Sequence, residues 1–257
     1  MITWGGNQML KRELSPGVIE YVFDPQPGKH FGNRITALIN EDQVILIDAG
    51  YKHQAIEVAM DLDANHFKVE KIIITHFHDD HMEGLKIWPN LCVYGSSYYQ
   101  NTLDRWTPKE EQHYFVPTVL VEESHKIQFG RHQIEMIRFP GHSICTMIVK
   151  INEEYVHIAD ELMFSNNGEP LLPCITKEDL KNQSESISKL REYMSYSFIF
   201  GHGDNIKDKS EIENTIKNTS LYFNKILSSR DKISFTEATK ECTCTFLHEE
   251  WHENVYK

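Results

Sequence analysis

The chain of 257 residues has no apolar run approaching the roughly 18 residues a membrane-spanning helix needs, so no membrane association is expected. Positive charge is in short supply. There are 26 Lys and Arg against 38 Asp and Glu, a formal net charge of −12. The basic residues are scattered and form no patch, which argues against nucleic acid and anionic lipid as partners. Cysteine is scarce too: five are present, an odd number, and only Cys242 and Cys244 stand close together. A structural zinc site would want a second such pair, so ordinary reduced thiols are expected. The opening Met1-Ile-Thr-Trp-Gly-Gly lacks a charged start followed by an apolar stretch. No export signal is therefore expected, and a cytoplasmic location is. Repeats, low-complexity segments and obvious linkers are missing as well. The expectation is a single domain over 1–257 with a helical tail over about 208–257.

Strand and helix signals alternate along the chain. Runs at 18–23, 35–40, 44–47, 69–74, 91–94, 116–121, 126–129, 132–139, 145–151, 155–158 and 197–200 read as strands. Helical patterns cover 53–62, with Ile56, Ala59 and Met60 at its apolar spacing, then 82–87, 97–105, 177–193 and 208–227. The class is α/β. With 40% hydrophobic residues the chain can build a sizeable core.

The densest chemistry is His76-Phe-His78-Asp-Asp80-His81, directly after the apolar run ending at Ile74-Thr75. Neutral imidazole nitrogen and carboxylate oxygen are the atoms that bind zinc. Residues two apart in extended chain face the same way, so His76 and His78 can grip one metal. Asp80 and His81 lie further round the turn and can reach a second. The bland alternative is a solvated polar turn. Four further strands each deliver an Asp or His to the loop at their C-terminal end: Asp48, His142, Asp160 and His202. Each alone is an ordinary turn residue or cap. Together with the His76 turn they form a set, at the place where a rigid scaffold meets an open loop.

The ordered set Asp48, His76-x-His78-x-Asp80-His81, His142, Asp160 and His202 resembles the metallo-β-lactamase superfamily, over about residues 17–205 and in all five of its motifs. The resemblance implies a four-layer αββα sandwich, with the strand-rich halves before and after Arg105 as its two sheets and metals at one edge. It implies that His76, His78 and His142 hold one metal, that Asp80, His81 and His202 hold the other, and that Asp160 bridges them. Asp48 is then the residue that supports the metal loop from behind, and Thr75 is expected to do likewise. The implied cofactors are two divalent metal ions, zinc first, with manganese or iron as alternatives. One departure stands out: many relatives carry Gly before the bridging Asp, where this chain has Ala159. That matters only if the backbone there needs a positive φ.

Two ions about 3.5–4 Å apart lower the pKa of a shared water to near neutrality and polarise a substrate carbonyl, so hydroxide held by metal is the expected nucleophile. Asp80 and Asp160 are the candidates to shuttle the proton. Within the family, the bridging Asp160 argues against a true β-lactamase. The missing flavin domain argues against an iron flavoprotein, and the complete second-metal set against a persulfide dioxygenase. The charge of −12 argues against RNA processing, and the short tail from Asp208 against a typical glyoxalase II. What remains is a hydrolase of a small-molecule ester, thioester or lactone. A phosphodiesterase, or an iron oxygenase or binding module on the same fold, is the alternative. The loops 24–33, with His30 and Phe31, and 161–175 are candidate pocket walls, as are Tyr98, Tyr99, Trp106 and Tyr193. His248 and His252 would share a helix face, and a solvated tail helix is expected there.

Overall fold

Apolar runs buried on both faces build two sheets. The computed structural model describes residues 9–26, 32–203 and 208–257. The first sheet joins β1 (Leu10–Ser15), β2 (Val18–Phe23), β3 (Asn33–Asn40), β4 (Gln43–Ile47), β5 (Lys68–Ile73), β6 (Cys92–Ser96) and β7 (Val119–Val121), in that spatial order. Its first four strands are antiparallel, and pairing turns parallel from β4 onward. The second sheet runs β12-β11-β10-β9-β8, from β8 (Ser124–Phe129), β9 (His132–Arg138), β10 (Met147–Ile151), β11 (Tyr155–His157) and β12 (Ser197–Ile199).

Alternate residues on each strand then decide the layers. Ile45 and Ile47 of β4 face Met147 and Val149 of β10 in the core between the sheets. Val44 and Leu46 point the other way, onto Val58 and Leu62 of α1 (Lys52–Ala64) and Leu103 of α3 (Tyr99–Trp106). Ile148 and Val156 point outward on the other side. They pack on Ile187 of α4 (Leu180–Lys189) and on Ile216 and Phe223 of α5 (Lys209–Ser228). Helix, sheet, sheet, helix is the resulting order. No helix among the described residues is long and apolar enough to cross a membrane.

Three expectations need correction, and one strand lies where none is expected. The sheets divide after β7, not at Arg105, because β7 pairs parallel with β6 across α3. Strand β1 has no apolar run; its side chains are exposed or half-buried, as an edge strand allows, and its backbone register against β2 defines it. In α1 the buried face is Ala55, Val58 and Leu62, while Ile56 and Met60 are exposed. His252 is not solvated. It is buried in the short 3-10 stretch Glu249–Tyr256, with Nδ1 against the Tyr222 hydroxyl at 2.9 Å and Nε2 against the Ile233 carbonyl at 2.8 Å. His30 and Phe31 lie outside the described residues.

Ala159, just past β11, has φ +51° and is fully buried. The left-handed region costs a residue with a Cβ roughly 1–2 kcal/mol. Glycine removes that strain and loses part of the gain to the freedom of the unfolded chain. Ala159→Gly is therefore expected to leave stability unchanged or raise it by up to about 1 kcal/mol, and Ala159→Val to lower it by about 2 kcal/mol or more. Urea unfolding midpoints check both; a clear loss in the glycine variant would contradict the strain.

Candidate metal centre

Five strand ends meet at one rim. β4 delivers Asp48, β5 the His76 turn, β9 the His142 loop, β11 Asp160 and β12 His202. Backbone hydrogen bonds lace these loops together: Asp48 N–H to the Ile73 carbonyl, Ala49 N–H to His81, Arg34 N–H to Gly201, and Gly201 N–H to Ala159. Gly201 must be glycine for a local reason. A Cβ there would lie 2.1 Å from Asp160 Oδ1 and 3.0 Å from His81 Cε1.

All seven side chains expected at a metal site converge, and they form three overlapping groups. His76, His78 and His142 make one; His76, His81 and Asp160 another; Asp80, His81 and His202 the third. Two ligands at about 2.0–2.1 Å from a tetrahedral ion stand roughly 3.3 Å apart. The observed spacings match that: 3.1 Å from His142 Nε2 to His78 Nδ1, and 3.2 Å from His202 Nε2 to Asp80 Oδ2. Asp160 Oδ2 is the common point. It lies 3.8 Å from His76 Nε2, 3.3 Å from His81 Nε2, 3.8 Å from His142 Nε2 and 3.1 Å from His202 Nε2. His76 Nε2 is buried at this centre without a hydrogen-bond partner. A nitrogen lone pair aimed into a buried cluster of acceptors is what a cation would answer, so the residues present fit one.

Outer contacts set each ring. Asp48 accepts the Thr75 amide on Oδ1 at 2.8 Å, and the Thr75 hydroxyl at 2.9 Å together with His81 Nδ1–H at 2.7 Å on Oδ2. Since the Thr75 hydroxyl proton goes to Asp48, its oxygen is left to accept from His76 Nδ1, 3.2 Å away. His202 Nδ1–H donates to the Gly32 carbonyl. In each case the outer bond fixes the tautomer that turns Nε2 inward.

Three supports carry no sequence signature. Glu161 is buried beside Asp160. It accepts the His142 amide at 3.0 Å and bonds the Ser186 hydroxyl, and burial pushes its carboxyl up to about 8. Cys145 Sγ lies under the metal turn, 3.4 Å from the Phe77 amide and 3.1 Å from the Thr102 hydroxyl. Ser143 Oγ joins Thr102 at 2.9 Å. These residues tie the His142 loop to the His76 turn, yet a Glu after an Asp or a Cys in an apolar run announces nothing by itself. The proposed pocket walls fare unevenly. Much of 161–175 is core: Leu162, Phe164, Leu172 and Ile175 are buried. Tyr99 packs against Phe77 and Tyr193 against Phe139, while Tyr98 and Trp106 are exposed.

Protonation divides the site. Burial lowers His78 and His142 to about 4 and holds His76 well below its usual range. On the other side, burial would lower His81 and His202 too, but the carboxylates prevail. Asp160, Asp48 and Asp80 hold His81 well above its usual range, and Asp160 and Asp80 raise His202 to about 10. Burial opposes ionisation of Asp80 and Asp160, yet the same two imidazoles keep both well below the usual carboxylate range. Near pH 7 the trio His76, His78 and His142 is thus neutral, whereas His81 and His202 carry protons that a cation must displace. Filling the Asp80–His81–His202 position should release protons and weaken as pH falls below about 10, where His202 takes up its proton; filling the trio should release almost none until pH approaches about 4. Calorimetric titration in buffers of different ionisation enthalpy reads the proton count. Asp48→Asn, which leaves His81 without its carboxylate, should cost about 10–100-fold in affinity at that position.

A family model described as the metallo-beta-lactamase superfamily matches residues 31–165. A hydroxyacylglutathione hydrolase of Pectobacterium atrosepticum is 30% identical over 165 residues, 62% of this chain and 57% of that protein. The chain thus aligns with little more than half the length of that relative. A probable metallo-hydrolase of Methanocaldococcus jannaschii is 29% identical over 161 residues, 62% of this chain and 70% of that one. Among solved structures, the metallo-beta-lactamase from Pontibacter korlensis matches with a TM-score of 0.65 and 18% identity, covering 82% of this chain and 100% of that one. Metallo-beta-lactamase IND-7 matches with a TM-score of 0.68 and 18% identity, over 81% of this chain and 96% of that one. At such identity these two likenesses speak for the fold alone.

Proposed function

The chain belongs to the metallo-beta-lactamase superfamily, and on that premise we propose that it is a hydrolase using two divalent metal ions, zinc first, to cleave a small ester, thioester or lactone. His76, His78 and His142 would hold one ion, Asp80, His81 and His202 the other, and Asp160 both. The observation that carries this reading is the single oxygen, Asp160 Oδ2, within 3.1–3.8 Å of four imidazole nitrogens drawn from both groups. When bound, the ions supply an acidified water and positive charge for the carbonyl oxygen.

The chain's own residues do the rest. Asp48 and Thr75 hold His81 and His76 in the ring orientation that faces the reaction. Asp160 is 3% exposed and surrounded, so it sets spacing and has little access to solvent. Asp80 keeps 16% exposure while 3.2 Å from His202. Among the proposed ligand carboxylates it is the one with access to solvent, and so the one that can exchange a proton between the site and solvent. No nucleophilic Ser or Cys is required. The relatives named hydrolases support this class of reaction.

Asp160→Ala is expected to lose metal at one position and to drop kcat by about a hundredfold or more, with a smaller change in KM. Metal analysis and steady-state kinetics on a panel of thioesters, lactones, phosphodiesters and β-lactams read this out. Near-normal turnover in the variant, or activity that survives exhaustive chelation, would contradict the mechanism; turnover confined to phosphodiesters would move the substrate class.

A further inference from the structure

The centre is closed on most sides. His76 and His81 are fully buried, and His142, Asp160 and His202 are at most 6% exposed. His78 and Asp80 are the half-buried members of the set, so the site opens over these two. Beside His78 stands Trp106, its ring edge-on to the imidazole at 6.3 Å between centroids. It is 51% exposed, one of the largest apolar surfaces the described chain leaves in water. Its ring is held on a second side. The Arg105 guanidinium lies 4.8 Å over its ring, and Arg105 is itself paired with Asp179 at 2.8 Å and Glu178 at 3.4 Å and bonded to the Thr176 hydroxyl. The clasp reaches from α3 on the first sheet to the loop before α4 on the second.

We propose that Trp106, held by the Arg105–Asp179 clasp, is the specificity wall of this site, and that it seats an apolar acyl or aryl group of the substrate next to the His76–His78–His142 position. This deepens the hydrolase reading and rests on it for the reaction. An exposed, immobilised indole gains by being covered with apolar surface and offers a flat face of fixed orientation. An acetyl group is too short to cover it; a hexanoyl or phenylacetyl group is not. Discrimination between such acyl groups in an apolar pocket commonly spans about 10–200-fold.

The test compares zinc-reconstituted wild type with Trp106→Ala, Trp106→Phe and Arg105→Ala, on acetyl and hexanoyl thioesters of one thiol. The ratio of kcat/KM for hexanoyl over acetyl should fall about tenfold or more in Trp106→Ala, while Trp106→Phe keeps most of it. Arg105→Ala should give an intermediate loss with unaltered zinc content. A second readout needs no turnover: hexanoate should change the tryptophan emission saturably, acetate should not, and the change should vanish in Trp106→Phe. An unchanged acyl ratio in Trp106→Ala, or an emission response that persists without Trp106, would overturn the wall. If wild type cleaves neither thioester but turns over a lactone or ester of the panel, the acyl comparison moves to that class; if it turns over nothing on the panel, the hydrolase reading fails by itself, and the emission titration still decides whether Trp106 contacts an apolar acid.

Discussion

Gathering three aspartates and five histidines at one rim, all but His78 and Asp80 of them buried, is the constraint on which this structure depends. An ionised carboxylate taken out of water without a partner costs several kcal/mol, and a like-charged neighbour adds to it. Each buried charge here is answered. Asp48 receives an amide, a hydroxyl and an imidazole N–H. Asp160 stands against His81 and His202. The three histidines without such an acid close at hand are kept neutral by burial instead. The result is a site with a neutral half and a charged half, bridged by one oxygen. That division follows from the placement of acids: Asp160 Oδ2 stands 3.1–3.3 Å from His202 and His81, and 3.8 Å from His76 and His142.

Such an arrangement tolerates little backbone drift, and the loops are built accordingly. Asp48 and Ala159 both sit at positive φ, at the points where β4 and β11 turn toward the rim. Gly84 packs so closely under the Asp48 loop that a Cβ would lie 2.2 Å from the Ala49 carbonyl oxygen. Behind the rim, Glu20 and Arg34 form a buried pair at 2.9 Å on adjacent strands. Arg34 also carries the amide that bonds the Gly201 carbonyl. Strain in the turns is offset by this network, so the functional side chains inherit their precision from main-chain bonds.

How much of this is legible in the sequence depends on the signal each residue leaves. The His76 turn and the Asp or His after each apolar strand are legible because metal-ligating side chains at strand ends are rare and recur in order. The central strand β4 is legible because burial on both faces leaves an unbroken apolar run, Val44 to Ile47. Strand β1 is not, because an edge strand needs only backbone pairing. The buried face of α1 is misread for a related reason: Ile56 and Met60 are larger than Ala55 and Val58, yet depth of packing depends on where the sheet lies, not on side-chain size. Glu161 and Cys145 are invisible because their contacts come from loops distant in sequence. The positive φ at Ala159 is a property of the turn, and alanine does not announce it.

The part of the chain beyond residue 165, outside the family match, is no appendage to the site. His202 comes from it, at the end of β12, and so does Asp179, which fixes the Arg105 stacked on Trp106. The apolar faces of α5 and of the last residues, with Tyr222, Phe223, Phe246 and Val255, cover the outer side of β11 and β12 through Val156 and Phe198. Without that cover Val156 and Phe198 would face water, and β12, three residues long and at the sheet edge, would have little else to hold it. The helical end of the chain therefore bears on the candidate metal centre through packing. It sets the strand that sets the His202 loop, while the residues that answer His202, Asp80 and Asp160, lie in the half that the family model describes.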